Sequence, residues 1–102
     1  MTYIIIWQYD IVPSARDIFE RIYQGDGDWA ALFRQSADYL STQLLRDLAQ
    51  PDRYMTLDYW RTAGAFEAFR QGYSAAYEEL DRRCAELTVT EVLVGSFERD
   101  DY

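Results

Sequence analysis

Between Arg53 and Trp60 the chain reads Arg-Tyr-Met-Thr-Leu-Asp-Tyr-Trp, and alternation along an extended backbone puts Thr56, Asp58 and Trp60 on one face. The helical run that follows carries Phe66, Phe69, Tyr73 and Tyr77 at spacings of three and four. An indole, two phenols and a carboxylate converging over one sheet have two uses. They wall a pocket for a flat organic ligand and exchange protons with it, or they simply fill a core. Asp58 is accordingly either a general base or a structural carboxylate paired with Arg61 or Arg70. Tyr73 and Tyr77 either donate a proton to a bound oxygen species or pack as ordinary phenols.

Composition limits any other chemistry. The chain contains no His, no Lys and no Asn, which removes the near-neutral proton shuttle, the Schiff-base amine and the imidazole that holds most zinc, copper and haem iron. The single Cys84 permits no internal disulfide or thiolate cluster, and with no His to activate it the thiol reads as an inert core group. Acid–base work falls to Asp, Glu or Tyr, and fixed positive charge to Arg. No metal is expected at Asp26 and Asp28, which lead straight into Trp29-Ala30-Ala31 without the alternating ligands of a calcium loop; Asp28 reads instead as a helix cap.

At 102 residues and 49% hydrophobic, the chain suits a single domain spanning 1–102, with 98–102 as a charged tail. A net charge of −8 argues against nucleic acid and anionic membrane surfaces as partners. The apolar run Tyr3 to Trp7 is far too short to span a bilayer. A cytoplasmic protein is expected, and one free cysteine agrees with a reducing compartment.

The elements that must position these residues follow from periodicity. Tyr3 to Val12 reads as a strand apolar on both faces, with Ile4, Ile6 and Gln8 on one side and Tyr3, Ile5, Trp7 and Tyr9 on the other. Pro13 and Ser14 open a helix to about Tyr23 with Ala15, Ile18, Phe19 and Ile22 as its inward stripe, and a short helix covers Trp29 to Phe33. Tyr39 to Leu48 and Arg53 to Trp60 form a hairpin around Ala49-Gln50-Pro51-Asp52. A helical segment from about Ala63 to Leu87 buries Phe66, Phe69, Tyr73, Tyr77, Leu80, Cys84 and Leu87 and bends at Gly72; Thr88 to Glu98 is the last strand.

The order β-α-β-β-α-β predicts an α+β, ferredoxin-like fold with a four-stranded antiparallel sheet and helices on one face. Trp7, Tyr9, Met55, Leu57 and Tyr59 would leave the other face apolar, and a second copy of the chain is the expected cover.

Gly27-Asp28-Trp29-Ala30-Ala31-Leu32-Phe33-Arg34, Tyr39-Leu40-Ser41-Thr42-Gln43-Leu44-Leu45 and Arg53 to Trp60, ahead of an Ala- and Phe-rich helix, resemble the antibiotic biosynthesis monooxygenase family over roughly Tyr3 to Phe97. The resemblance implies a dimeric α/β barrel, a homodimer with sheets face to face and a ligand pocket in each subunit. Some members oxygenate polycyclic phenols with O2 and no metal, flavin or other cofactor, the deprotonated substrate donating the electron. Trp60 matches the Trp that ends the third strand in active members, and Tyr73 and Tyr77 lie on the helix that supplies a phenol or a haem-ligating His. Gln8 or Ile6 occupies the first-strand place where active members often carry Asn, and Asp38 stands where many relatives have Gly.

The expected function is a cofactor-independent monooxygenase-like protein with Trp60, Tyr77 and Tyr73 as catalytic groups and Gln8, Ile6, Asp58, Phe66, Phe69 and Arg61 around a small phenol- or quinol-type ligand. The alternative is a non-catalytic homodimer of the same fold that binds a small ligand or is purely structural. Space between Trp60 and the two phenols separates these readings: an open chamber keeps a ligand in play, and a filled one leaves a structural protein.

Overall fold

The computed structural model describes residues 1–101; Tyr102, the end of the expected tail, lies outside them. Strand β1 (Thr2–Ile11) leads through a 3₁₀ turn at Pro13–Ala15 into α1 (Arg16–Tyr23), and a sharp turn then delivers α2 (Asp28–Phe33). Gly27 makes that turn possible, because a Cβ there would stand 2.4 Å from the Ile22 carbonyl oxygen. Gly27, and not Asp28, occupies the cap position of α2, and no side chain caps it. The hairpin of β2 (Tyr39–Arg46) and β3 (Arg53–Trp60) follows, closed by a turn in which the Asp47 carboxylate accepts from the backbone N–H of Ala49 and Gln50.

The expected long helix is two, α3 (Ala63–Gly72) and α4 (Ser74–Cys84), broken at Tyr73, whose ψ of 28° leaves the helical range. Thr62 caps the start of α3 by accepting from the Ala65 N–H. The break turns Tyr73 outward, to 38% exposure, while Phe69, Leu80 and Cys84 stay buried. Ile18, expected in the inward stripe of α1, is likewise exposed, and Tyr23 takes the buried place beside Phe19. Strand β4 (Thr88–Arg99) completes an antiparallel sheet of order β2-β3-β1-β4, so the two residues following Phe97 belong to the strand and not to a tail. Among the described residues no helix is long and apolar enough to cross a membrane.

The α+β, ferredoxin-like expectation holds, and strand pairing corrects one part of it. Tyr9 lies opposite Tyr54, Trp7 opposite Thr56 and Ile5 opposite Asp58, which puts Trp7 and Tyr9 on the helix-covered face with Thr56, Asp58 and Trp60. Ile6 and Gln8 lie opposite Leu57 and Met55 and face away from the helices. The outer face is therefore built from Ile4, Ile6, Gln8, Met55, Leu57 and Tyr59, without Trp7 or Tyr9.

Candidate functional site

Trp60 is fully buried, with its indole edge-on to Phe33, Tyr39 and Phe66 at centroid distances of 5.3–5.5 Å and tilted against Phe69 at 5.2 Å. That packing fills the space expected to be a chamber. Phe69 shares the same cluster, Tyr73 stacks on its outer side, and Arg61 lies at the surface 3.8 Å from the Asp38 carboxylate. Ile6 and Gln8 are on the other side of the sheet from Asp58, because residues of opposite parity in paired strands point to opposite faces.

A cavity does open two residues along β3, around Asp58. It offers about 30 Å³ to a water-sized sphere, room for about two waters. Its floor is the sheet, contributed by Tyr9 of β1, Thr42 of β2 and Thr56 and Asp58 of β3. Its roof comes from Tyr23 of α1, Trp29 and Phe33 of α2 and Tyr77 of α4. Trp7, Tyr77, Asp81 and Glu91 line both it and a wider cleft of about 400 Å³ that runs out between α3, α4 and the β1–β4 edge past Phe66 and Arg70.

Asp58 is only 8% exposed, and its Oδ1 accepts from the Thr42 hydroxyl at 2.6 Å. Thr42 Oγ1 in turn accepts from the Tyr39 hydroxyl at 2.7 Å, so a Tyr39→Thr42→Asp58 chain of donors runs from the half-exposed edge to the buried carboxylate. Among the described residues no cation reaches Asp58. Arg61 serves Asp38, and the Arg70 guanidinium lies over the Tyr77 ring at 3.7 Å from its centroid. Burial therefore pushes the Asp58 carboxyl up to about 6, against which the Thr42 hydrogen bond works in the lowering direction. Such a group is ionised at neutral pH, yet close enough to neutrality to take and return a proton.

The surrounding phenols are held neutral. Burial drives the Tyr9 hydroxyl well above its ordinary value, and burial with three carboxylates nearby outweighs Arg70 and brings Tyr77 to about 12. The Tyr9 hydroxyl and Thr56 Oγ1 lie 3.3 Å apart beside Asp58. The set comprises one poised base, neutral phenolic donors and flat aromatic walls, a combination suited to moving a proton on an aromatic molecule.

The sequence pattern of a family described as antibiotic biosynthesis monooxygenase matches residues 2–82. The chain belongs to that family. Among solved structures, the fold of an antibiotic biosynthesis monooxygenase family protein from Bordetella bronchiseptica superposes with a TM-score of 0.77 at 22% identity over 97% of both chains. SnoaB, a cofactor-independent oxygenase from Streptomyces nogalater, superposes with a TM-score of 0.64 at 18% identity over 99% of this chain and 95% of its own. A conserved protein from Methanosarcina mazei Go1 gives 0.73 at 10% identity, over 98% of this chain and 94% of that one. No curated protein sequence matches the chain.

Within this monooxygenase-family fold, the residues singled out from sequence divide into four groups. Asp58 and Tyr77 meet at the cavity, and Phe66 joins Tyr77 along the cleft. Trp60 and Phe69 are core, and Tyr73 and Arg61 are surface. Ile6 and Gln8 face away. Thr56 lies beside Asp58 on the expected face, and Tyr9, Thr42, Trp7, Trp29 and the pair Asp81 and Glu91 complete the site without having been expected there. Parity along β1 and β2 carries the signal for Tyr9, Trp7 and Thr42, once the register against β3 is known.

Thr42→Val tests the polar chain. It removes the only donor to Asp58 among the described residues and leaves the Tyr39 hydroxyl without its acceptor, at a cost of about 1–3 kcal/mol in urea unfolding. Because that hydrogen bond lowers the Asp58 value, its loss moves the carboxyl titration, followed by NMR, to higher pH; an unmoved titration would show that Thr42 does not govern Asp58.

Proposed function

We propose that this protein is a cofactor-independent monooxygenase-like enzyme acting on a small phenol- or quinol-type aromatic substrate, with Asp58 as its base. The observation that carries this reading is a buried carboxylate that meets no cation among the described residues, accepts from Thr42 and borders a cavity that shares its walls with an aromatic cleft. Family membership and a fold shared with a cofactor-independent oxygenase support it.

In the proposed reaction the substrate ring lies in the outer cleft against Trp7, Phe66 and Tyr77, and dioxygen takes the inner space beside Tyr9 and Thr56. Asp58 takes a proton from the substrate, whose anion passes one electron to O2. The resulting radical pair joins in a C–O bond, and the peroxide so formed accepts a proton from Asp58. O–O cleavage with loss of the second hydrogen from the same carbon leaves a carbonyl and releases water. A ring CH2 plus O2 thus becomes C=O plus H2O, with all electrons from the substrate and none from the protein. Tyr77, neutral at working pH, donates a hydrogen bond to the developing oxyanion.

Oxygen uptake with a panel of naphthols, anthrones and hydroquinones in metal-free buffer tests the proposal. Turnover of at least one class well above the buffer rate, reduced by Tyr77→Phe, is the expected result. No turnover across the panel favours the alternative, a non-catalytic homodimeric ligand-binding or structural protein, a reading to which the filled volume around Trp60 lends weight.

The working unit proposed is a homodimer of one-domain chains in the cytoplasm. Ile4, Ile6, Met55 and Leu57 share the outer sheet face with the exposed Val92 and Phe97, and among the described residues no helix lies there to cover them. Sedimentation should give twice the chain mass, and Leu57→Asp, which places two charges in a seam that excludes water, should give the chain mass alone. A natural chain that sediments as a monomer would remove the dimer from the proposal.

A further inference from the structure

The cavity and cleft carry a charge imbalance that the proposed chemistry has to meet. Asp58, Asp81 and Glu91 line the inner space, and Glu67 joins the last two along the outer cleft. Arg70 is the one cationic side chain among the residues lining either space. An anionic ring generated beside Asp58 would meet repulsion from every carboxylate ionised around it, worth more in a partly dry site than in water. The described residues do not supply the compensating charge, since none forms an ion pair with Asp58 and Arg70 is a single guanidinium engaged on the Tyr77 ring.

A second, independent observation shows what the walls accept. The Arg70 guanidinium sits on the Tyr77 ring with its carbon 3.7 Å from the centroid, so one face of that ring already carries a cation in contact. Trp7 and Trp29 present further indole surface to the same space, and indoles are the best aromatic partners for a positive charge. Aromatic faces interleaved with carboxylates, one of them more than nine-tenths buried and facing the cavity, bind positively charged nitrogen.

We propose that the substrate is an aromatic compound bearing a protonated amine, its ring held against Trp7 and Tyr77 and its ammonium group placed between Asp81 and Glu91. This rests on the reading of the cleft as a substrate chamber and narrows the substrate class. It also resolves the electrostatics of the first step: a phenol that carries its own ammonium becomes a net-neutral zwitterion when Asp58 takes its proton. A neutral phenol becomes an anion facing carboxylates. Arg70 competes with the ligand cation for Tyr77 and acts as a positioning residue.

The test uses the full chain and three bicyclic probes of similar size: 1-naphthol, an aminomethyl-1-naphthol and a carboxymethyl-1-naphthol, titrated at pH 7.5 by quenching of tryptophan fluorescence. The aminomethyl probe should bind at least tenfold more tightly than 1-naphthol, equivalent to about 1.4 kcal/mol, and the carboxymethyl probe least well. The preference should shrink with added salt and fall below about threefold in Asp81→Asn/Glu91→Gln, whereas Arg70→Gln should enlarge it. Equal binding of the neutral and cationic probes, no binding of any probe at millimolar concentration, or a preference that survives loss of both carboxylates would overturn the proposal. Oxygen uptake separates it from the broader reading. Turnover of 1-naphthol with no charge preference removes only the ammonium requirement, and a charge preference with no turnover of any probe removes only the oxygenase chemistry.

Discussion

Asp58→Asn is expected to abolish oxygen uptake while making the protein more stable. Loss of a general base costs about 10²–10⁴ in rate, and the substituted amide has the same size and still accepts from Thr42 at the position of Oδ1. The stability effect follows from the carboxyl value. Between the ordinary 3.8 and the folded value of about 6, the native state holds a proton that the unfolded chain has released. Stability therefore falls as pH rises through that window, and the deficit is complete above it. Asp58 is buried, so solvent screening relieves little of this, and the deficit near pH 7.5 is roughly 2–3 kcal/mol.

Asn carries no such deficit. The variant should gain roughly 10 °C in melting temperature at pH 7.5, and the gain should vanish below about pH 4, where both states of the natural chain are protonated. In the natural protein kcat/KM should rise with pH through about 6 as the base ionises. A structural carboxylate would give the reverse result, with Asn destabilising at neutral pH and uptake untouched.

The other large effect concerns Trp60. With its indole enclosed by Phe33, Tyr39, Phe66 and Phe69 and no surface in the cavity, Trp60→Ala should cost about 3–5 kcal/mol, a large share of a small domain's total stability of about 5–15 kcal/mol. Trp60→Phe removes less volume, and it also removes a buried indole N–H that has no partner among the described residues, which returns about 1 kcal/mol or more. The two terms nearly cancel, so the Phe variant should unfold within about 1–2 kcal/mol of the natural chain and keep its oxygen uptake within about threefold. A folded Trp60→Phe protein without uptake would instead assign the indole to the chemistry.

Local patterning was enough for much of the fold. The alternation in β3 put Tyr54, Thr56, Asp58 and Trp60 on one face, the turn at 49–52 predicted the hairpin, and the glycine at 72 marked the site where α3 gives way to α4. These features depend on residues within a few positions of one another. The exposure of Tyr73 was not legible, because it depends on the angle taken by the chain after the break.

Among the site residues, Asp58 and Tyr77 were readable as chemically capable groups, and both line the cavity between the sheet and the helices. The partners of Asp58 were not readable. Arg61 is three residues away in sequence, yet it lies beyond the end of β3 at the surface, while Thr42 arrives from the neighbouring strand. A hydrogen bond between residues 16 apart leaves no periodic trace in either segment.

The amino-acid sequence by itself determined the residue inventory, the family, the order of elements and the grouping of alternate side chains within each strand. Only the tertiary structure decided which group in β1 faces the helices. Ile4, Ile6 and Gln8 are nearly as apolar as Tyr3, Ile5, Trp7 and Tyr9, so no hydrophobic difference orients the strand; pairing with β3 does, through a register in which Tyr9 meets Tyr54. The same register places the space beside Asp58 and closes it around Trp60, because a cavity is the volume that packed neighbours fail to fill.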